Sequence, residues 1–325
     1  MSTSFVEIIK PGTHIDFIGK WPVAIAISLA LLAAGFVGLA TEGMRMGIDF
    51  AGGTEVQVRF EAARTGEGAI RSVVQGLDIP SPSVIRYGKT GNEFLIKFRG
   101  ERHIAPPAGT PSEGKPTKPA RAGAITAKND RILALEAALD REIGHVEIQR
   151  VEFVGPKVGA ELRENGLRSI GIACLLILVY IAFRFSTRFA PGAVVALIHD
   201  VLVTSGIWIL LGLEFDLRVV AALLAIIGYS LNDTIIVYDR IRENMALRTK
   251  FDLKDVLNQS VNQTLSRTLL TSLTTLLAVA ALLLIGGTVV RPFALAMAIG
   301  IVVGTYSSIY IASPTLLWLE SRYGK

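Results

Sequence analysis

The sequence predicts a polytopic α-helical membrane protein with six transmembrane helices and one water-exposed α+β domain between the first two. Three observations lead there. The 325 residues are 51% hydrophobic and only 19% charged, with a mean hydropathy of +0.48, too apolar for an ordinary soluble domain. Six apolar segments approach the ~20 residues a helix needs to cross roughly 30 Å of hydrocarbon. Between the first two lies a long polar stretch whose apolar residues alternate with a period of two, as strands require.

Residues 1–20 precede the first span and carry Lys10 and Lys20. The span itself, 21–41, contains WPVAIAISLALLAAGFVGLA, 20 residues without a charge. That is longer than a signal-peptide core, and the following TEGMRMGIDF lacks a small-x-small cleavage pattern, so the segment reads as retained. The second span is 166–184, with Arg168 and Arg184 at its ends, where both can snorkel to the headgroups. Spans 190–212 and 218–238 are interrupted by Asp200 and Asp233. Residues 239–266 form a loop in which FDLKDVLNQSVNQTL reads as an amphipathic helix through Leu253, Leu257 and Val261, expected to lie at the membrane interface. Spans 267–286 and 291–318 follow, and 319–325 is a short tail.

Basic residues set the orientation. Lys10, Lys20, Arg184, Arg188, the 240–267 cluster (Arg240, Arg242, Arg248, Lys250, Lys254, Arg267), Arg322 and Lys325 all fall on one side. The short connections LEFDLR and GGTVVR on the other side hold one arginine each. The positive-inside rule then makes both termini cytoplasmic and puts residues 42–165 on the far side.

That domain follows the order β-α-β-β-α-β, the split motif of ferredoxin-like folds. TEVQVRFE presents Val56, Val58 and Phe60 on one face, and EFLIKFR presents Phe94, Ile96 and Phe98. NDRILALEAALDREIG places Ile132, Leu135, Leu139 and Ile143 on one helical stripe, and HVEIQRVEFVG closes the motif as a strand. A Pro-rich insertion, about 101–124, holds five of the thirteen prolines and almost no large apolar residue, so it reads as an extended loop outside the core.

Charges inside apolar spans are costly and are functional candidates by default. Asp233 is the sharpest. It lies about 14 residues after Val219, roughly 21 Å along a helix at ~1.5 Å per residue, with Tyr229 and Asn232 expected within hydrogen-bonding reach. Arg267 is its expected partner, because the fifth span runs antiparallel to the fourth and carries Arg267, Thr271 and Thr274 on one stripe, expected to face inward. Asp200 is a second buried carboxylate. It ranks lower, since adjacent His199 and Asp200 point to different faces of a helix and need not form a relay. Ala296, Gly300, Gly304, Ser308 and Ala312 repeat every four residues, a small-residue stripe suited to close helix packing. The single Cys174 sits in an apolar run, so neither an internal disulfide nor a Cys/His metal cluster is available.

Several stretches together carry a family resemblance: GIDFAGG (47–53), VGPKVGAEL (154–162), RFAPGAVVALIHD (188–200), IGYSLNDTIIVYDRIREN (227–244), LSRTLLTSLTTL (265–276) and GTYSSIYIASP (304–314). The sequence resembles the SecD/SecF family of the bacterial Sec export machinery, within the resistance-nodulation-division superfamily, and looks like a six-helix member of it. The resemblance implies a multi-pass protein of the bacterial inner membrane with a ferredoxin-like periplasmic domain between helices 1 and 2. It implies SecD, the Sec translocon channel, exported unfolded polypeptide and membrane lipid as partners, with no nucleic acid. The implied activity is use of the proton gradient, with no cofactor, to help draw secreted polypeptide across the membrane after the ATP-driven step. It also implies Asp233 as the proton-responsive carboxylate and Arg267 beside its path; Asn232 and Asp200 join that path as candidates from their own places within the spans. The Pro-rich insertion departs from the family's compact domain.

Other classes remain open from the residues alone: a half-transporter for a small molecule or lipid, or a scaffold whose membrane carboxylates are structural. An enzyme is not indicated. Ser230 and His199 lack any G-x-S-x-G setting, and no G-x-x-x-x-G-K-[ST] sequence for ATP occurs.

Overall fold

The structure is a computed structural model that describes residues 14–61, 66–77, 79, 82–87, 91–98, 122–184, 189–247 and 252–323. Residues 101–121 of the Pro-rich insertion and parts of both termini lie outside these. Two compact units emerge, one of residues 46–164 and one of residues up to 45 together with those from 165 onward.

In the first unit a single helical turn, α1 (Ile48–Ala51), leads into β1 (Gly53–Phe60), α2 (Glu67–Gly76), β2 (Ser83–Tyr87), β3 (Glu93–Phe98), α3 (Ala122–Glu142) and β4 (Val146–Val154). The four strands form one antiparallel sheet in the order β2-β3-β1-β4, so the predicted split motif closes as a ferredoxin-like sheet. Val56, Val58, Phe60, Phe94 and Ile96 from one sheet face bury against Ile70 and Val74 of α2 and Leu135 and Leu139 of α3. Helix α3 starts at residue 122, so the last three residues assigned to the insertion are already helical.

GIDFAGG has a steric purpose in this unit. Gly52 adopts φ +71°, a region that disfavours any side chain, and a Cβ there would stand 2.9 Å from the Pro156 Cα. Gly159 is equally constrained, since its Cβ would meet the Gly52 N at 3.0 Å and the Phe50 O at 3.1 Å. The motifs at 47–53 and 154–162 are therefore two halves of one backbone-to-backbone contact.

In the second unit, six helices among the described residues are long and apolar enough to cross a membrane. They are α4 (Trp21–Thr41), α5 (Pro156–Arg184), α6 (Ala190–Leu210), α7 (Leu217–Ala246), α8 (Leu253–Ile285) and a last span made of α9 (Gly287–Ser307), a π-helical turn (Ser308–Ala312) and α10 (Ser313–Tyr323). Helix α5 begins ten residues before the apolar span 166–184, its first residues belonging to the other unit. Asp216 caps α7 by accepting from the Val219 N at 3.0 Å, and Asp252 caps α8 through the Lys254 N at 2.9 Å.

One expectation fails. The amphipathic helix read at 251–265 is not a separate element: residues from Leu253 onward are the first part of α8, continuous with the fifth span. Its apolar face has a protein partner. Val256, Leu257, Val261 and Leu265 are buried with Phe17, Ile18 and Ile241, and Asn258 and Asn262 accept from the backbone N–H groups of Phe17 and Ile15 at 2.8 and 2.9 Å. Packing and hydrogen bonds to residues 15–18 thus cover the apolar face that the pattern showed.

Helices α4 and α6 approach so closely that a Cβ on Gly35 would sit 2.7 Å from the Gly206 Cα. Overfilling such a contact costs about 1–3 kcal/mol. Gly35→Val is accordingly expected to lower the thermal unfolding midpoint in detergent. Substitution at Gly171, which has nothing within 4 Å, should leave it in place, and an unchanged midpoint for Gly35→Val would refute the close contact.

Candidate functional site

Helix α7 buries one face through Val219, Leu223, Ile226, Ser230, Asp233, Val237 and Ile241, spaced at three and four residues. Asp233 therefore points inward, with no exposure at all. Its Oδ2 has a single long contact, from Ser272 Oγ on α8 at 3.5 Å, and its Oδ1 has no hydrogen-bond partner among the described residues. That donor is contested. Ser272 Oγ lies 2.6 Å from Thr305 Oγ1 on α9 and receives the Tyr229 hydroxyl at 3.3 Å, while Thr305 donates to the Ile301 O at 2.8 Å. With Thr305's hydrogen on that carbonyl, the hydrogen of Ser272 is drawn to Thr305 rather than to the carboxyl.

The sequence-derived neighbours of Asp233 are elsewhere. Arg267 is exposed, and no ion pair joins it to Asp233 among the described residues. The inward stripe of α8 is Ser260, Thr264, Thr268 and Ser272, not Arg267, Thr271 and Thr274. The stripe is displaced by one residue, about 100° of rotation, which the burial of Leu257, Val261 and Leu265 enforces. Asn232 is likewise exposed, about 100° around α7 from Asp233. Gly300 and Gly304 sit against α7, where a Cβ would meet Ile226 Cδ1 at 2.2 Å and Ser230 Cβ at 3.0 Å, and Ser308 is fully buried.

Asp200, on α6, is better provided. Ser230 and Ser307 both donate to its Oδ2, the latter at 2.8 Å, and His199 Nδ1 stands 3.0 Å from its Oδ1. The adjacent His–Asp pair thus does make contact, against the expectation that it points two ways. His199 Nε2 continues to Ser28 Oγ on α4 at 3.0 Å, and Ser28 to the Tyr306 hydroxyl at 3.0 Å. Sequence reasoning missed Ser28, Ser272, Thr305, Tyr306 and Ser307, and weighed Ser230 only as a nucleophile, not as a donor to Asp200. Ser28 carried a signal, being the lone hydroxyl within residues 21–40. Among the described residues no three His, Cys, Asp or Glu side chains gather as a metal site would require.

Membrane-spanning helices that seal two carboxylates among hydroxyls, with a ferredoxin-like domain on the first connection, define a multi-pass membrane protein with ionisable groups inside its bundle. The model for "Protein export membrane protein SecD/SecF, C-terminal" matches residues 134–322, and that for the "SecD/SecF GG Motif" matches residues 37–63. Protein translocase subunit SecF of Magnetococcus marinus is 44% identical over 97% of this chain and 95% of its own length. The SecF subunit of Pseudomonas aeruginosa is 39% identical over 96% and 93%. The crystal structure of SecDF, a translocon-associated membrane protein from Thermus thermophilus, shares the fold with a TM-score of 0.79 and 36% identity. That match covers 96% of this chain but 39% of the SecDF chain. The chain belongs to the SecD/SecF protein-export family, in its SecF branch. The family is one of translocase subunits rather than a class of enzymes.

The two carboxylates differ in what their loss strands. Asp200→Ala removes the acceptor of Ser230 and His199, and that of Ser307, which keeps the Gly304 O at 3.1 Å, at a cost of roughly 2 kcal/mol if each stranded group costs about 1. Asp233→Ala strands at most Ser272, which retains Thr305. Thermal unfolding of the two variants in detergent should show the larger loss for Asp200→Ala; equal losses would contradict this assignment of partners.

Proposed function

We propose that this chain works with SecD in the bacterial inner membrane to couple proton entry to the export of secreted polypeptide, and that Asp233 is the carboxyl that loads and releases the proton. One observation carries the reading. Asp233 is completely buried within a span, with one oxygen unpartnered and the other served by a hydroxyl that bonds elsewhere. An unpaired anion in such surroundings costs several kcal/mol. A bound proton or an approaching cation removes that cost, so occupancy by one or the other is the natural cycle of the site.

Arg267 supplies the cation in this proposal. Arg240 meets Gln263 at 2.7 Å and Asp233 meets Ser272, so Arg267 stands between these levels on the neighbouring helix. Turning α8 by about 100°, with release of the Asn258 and Asn262 bonds to residues 15–18, would bring Arg267 to the position now held by Thr268, whose hydroxyl has no partner among the described residues. Two arrangements with different proton affinity follow, and a ligand or gradient that favours one shifts the population.

SecD as partner rests on the surface of α7 and α8. Asn232, Arg267 and Thr274 are exposed there beside Gly228, whose Cβ position has nothing within 4 Å. Thr274 already donates to the Leu270 O at 2.9 Å, but for Asn232 and Arg267 a second helical half offers partners that lipid tails do not. The much greater length of the related SecDF chain fits such a pairing.

Export into inverted membrane vesicles, with and without an uncoupler, tests the proton role. Asp233→Asn, at matched protein levels and bound to SecD, is expected to lose the uncoupler-sensitive increment of export and to retain the ATP-driven part. A variant with the full increment removes Asp233 from the proton path. Orientation is tested in a Cys174→Ala background with single cysteines at exposed Ser72 and Leu247. An impermeant reagent applied to intact spheroplasts should label position 72 alone, and labelling at 247 would reverse the proposed topology.

A further inference from the structure

We infer that His199 and Asp200 form a second proton-binding site, in which His199 Nε2 takes up one proton, the Ser28 hydroxyl turns to accept from it, and Asp200 supplies the counter-charge. The argument is a count of hydrogens, and it is independent of the role of Asp233. Asp200 as an anion only accepts, so the imidazole hydrogen on Nδ1 belongs to the 3.0 Å contact with Oδ1. Nε2 faces Ser28 Oγ at 3.0 Å. Ser28 Oγ is also 3.0 Å from the Tyr306 hydroxyl, which itself donates to the Ala24 O at 2.5 Å.

Tyr306 has one hydrogen and spends it on that carbonyl, so Ser28 and Tyr306 are bonded only when Ser28 donates. The single hydrogen of Ser28 therefore has two acceptors in place, His199 Nε2 and the Tyr306 oxygen. When it goes to Nε2, the imidazole is neutral. When it goes to Tyr306, the Ser28 lone pair faces Nε2, which must then carry a proton of its own. Both arrangements satisfy Nδ1, Nε2 and Ser28 with the same heavy-atom positions, and they differ by one proton. The charges are tolerable in each. Without the proton, Asp200 is an anion held by Ser230, Ser307 and His199; with it, imidazolium and carboxylate form a neutral pair, His199 being 6% exposed and Asp200 fully buried.

The surroundings hold few competing charges. Helix α4 has no titratable residue, and α6 has only His199 and Asp200. Helix α7 contributes Asp233, one turn beyond Ser230, and Tyr238, whose hydroxyl donates to the Ala312 O at 3.0 Å. The last span contributes Tyr306 and Tyr310, their rings 5.3 Å apart, with Arg291 in the first turns of α9 and Glu320, Arg322 and Tyr323 at the far end of α10.

Solid-state magnetic resonance of the full chain in lipid nanodiscs, with nitrogen-labelled histidine, reads the two ring nitrogens separately. His199→Gln assigns its signals against those of His14, His103 and His145. Across a range of pH, Nε2 of His199 is expected to pass from unprotonated to protonated while Nδ1 stays protonated throughout. Asp200→Asn should abolish that conversion within the range, and Asp233→Asn should preserve it. A single state of Nε2 across the range in the wild-type chain overturns the proposal and leaves a fixed structural pair. Conversion that survives Asp200→Asn would deny Asp200 its counter-charge role, and conversion lost in Asp233→Asn would mean that the two carboxylates are one site.

Discussion

Inside hydrocarbon a polar group has only other protein groups to bond with, and three consecutive residues of the last span meet most of that demand here. Thr305 contacts Ser272 on α8, Tyr306 reaches Ala24 and Ser28 on α4, and Ser307 donates to Asp200 on α6, which also takes Ser230 from α7. One turn of helix thereby ties four others. The arrangement depends on close approach, which is why Gly300 and Gly304 precede it: any side chain at Gly300 would strike Ile226 and push α7 out of reach. Small residues and hydroxyls act jointly, the first permitting the distance that the second require.

The same span softens immediately afterwards. Residues 308–312 form a π turn, and Pro314 explains it, because proline has no N–H to donate to the carbonyl one helical turn back. Side chains take over part of the backbone's role: Ser313 Oγ donates to the Ser308 O at 3.4 Å, Thr315 Oγ1 to the Ile311 O at 2.6 Å, and Tyr238 to the Ala312 O. Gly192 keeps that last bond possible, since a Cβ there would lie 2.2 Å from the Tyr238 hydroxyl. π turns often mark functional segments. Here it adjoins the three residues that touch both carboxylate clusters, so a change in either cluster acts on a helix already bonded irregularly.

Helix α8 shows how one element serves two solvents. Its first part grips residues 15–18 through Asn258 and Asn262, and its inward hydroxyls continue that face into the span. The opposite face carries Arg267 and leucines at 270, 273 and 277, all exposed. Fixing the rotation of the helix at its polar end fixes it along the apolar length as well, because a helix turns as a rigid rod. The burial of Leu257 and Val261 thus decides that Ser272, and not Arg267, faces Asp233.

Six spans and the ferredoxin-like order of the inserted domain were legible in the sequence, as was Asp233 on α7, whereas Asn232, expected beside it, is exposed. Each depends on length or on a short period that a single element expresses by itself. Burial of Asp233 and the packing of Gly300 follow from the same local periodicity. What only the tertiary structure decided is which helices face each other and at what rotation. An error of one residue on α8 exchanges a cation for a hydroxyl beside a buried carboxyl, and no apolar pattern resolves 100° when both faces of the span are rich in leucine. The relay from Asp200 through His199 and Ser28 to Tyr306 joins residues up to 278 positions apart. Its members are ordinary serines and a tyrosine in separate apolar runs, given meaning by the close contact of Gly35 with Gly206 that brings α4 against α6.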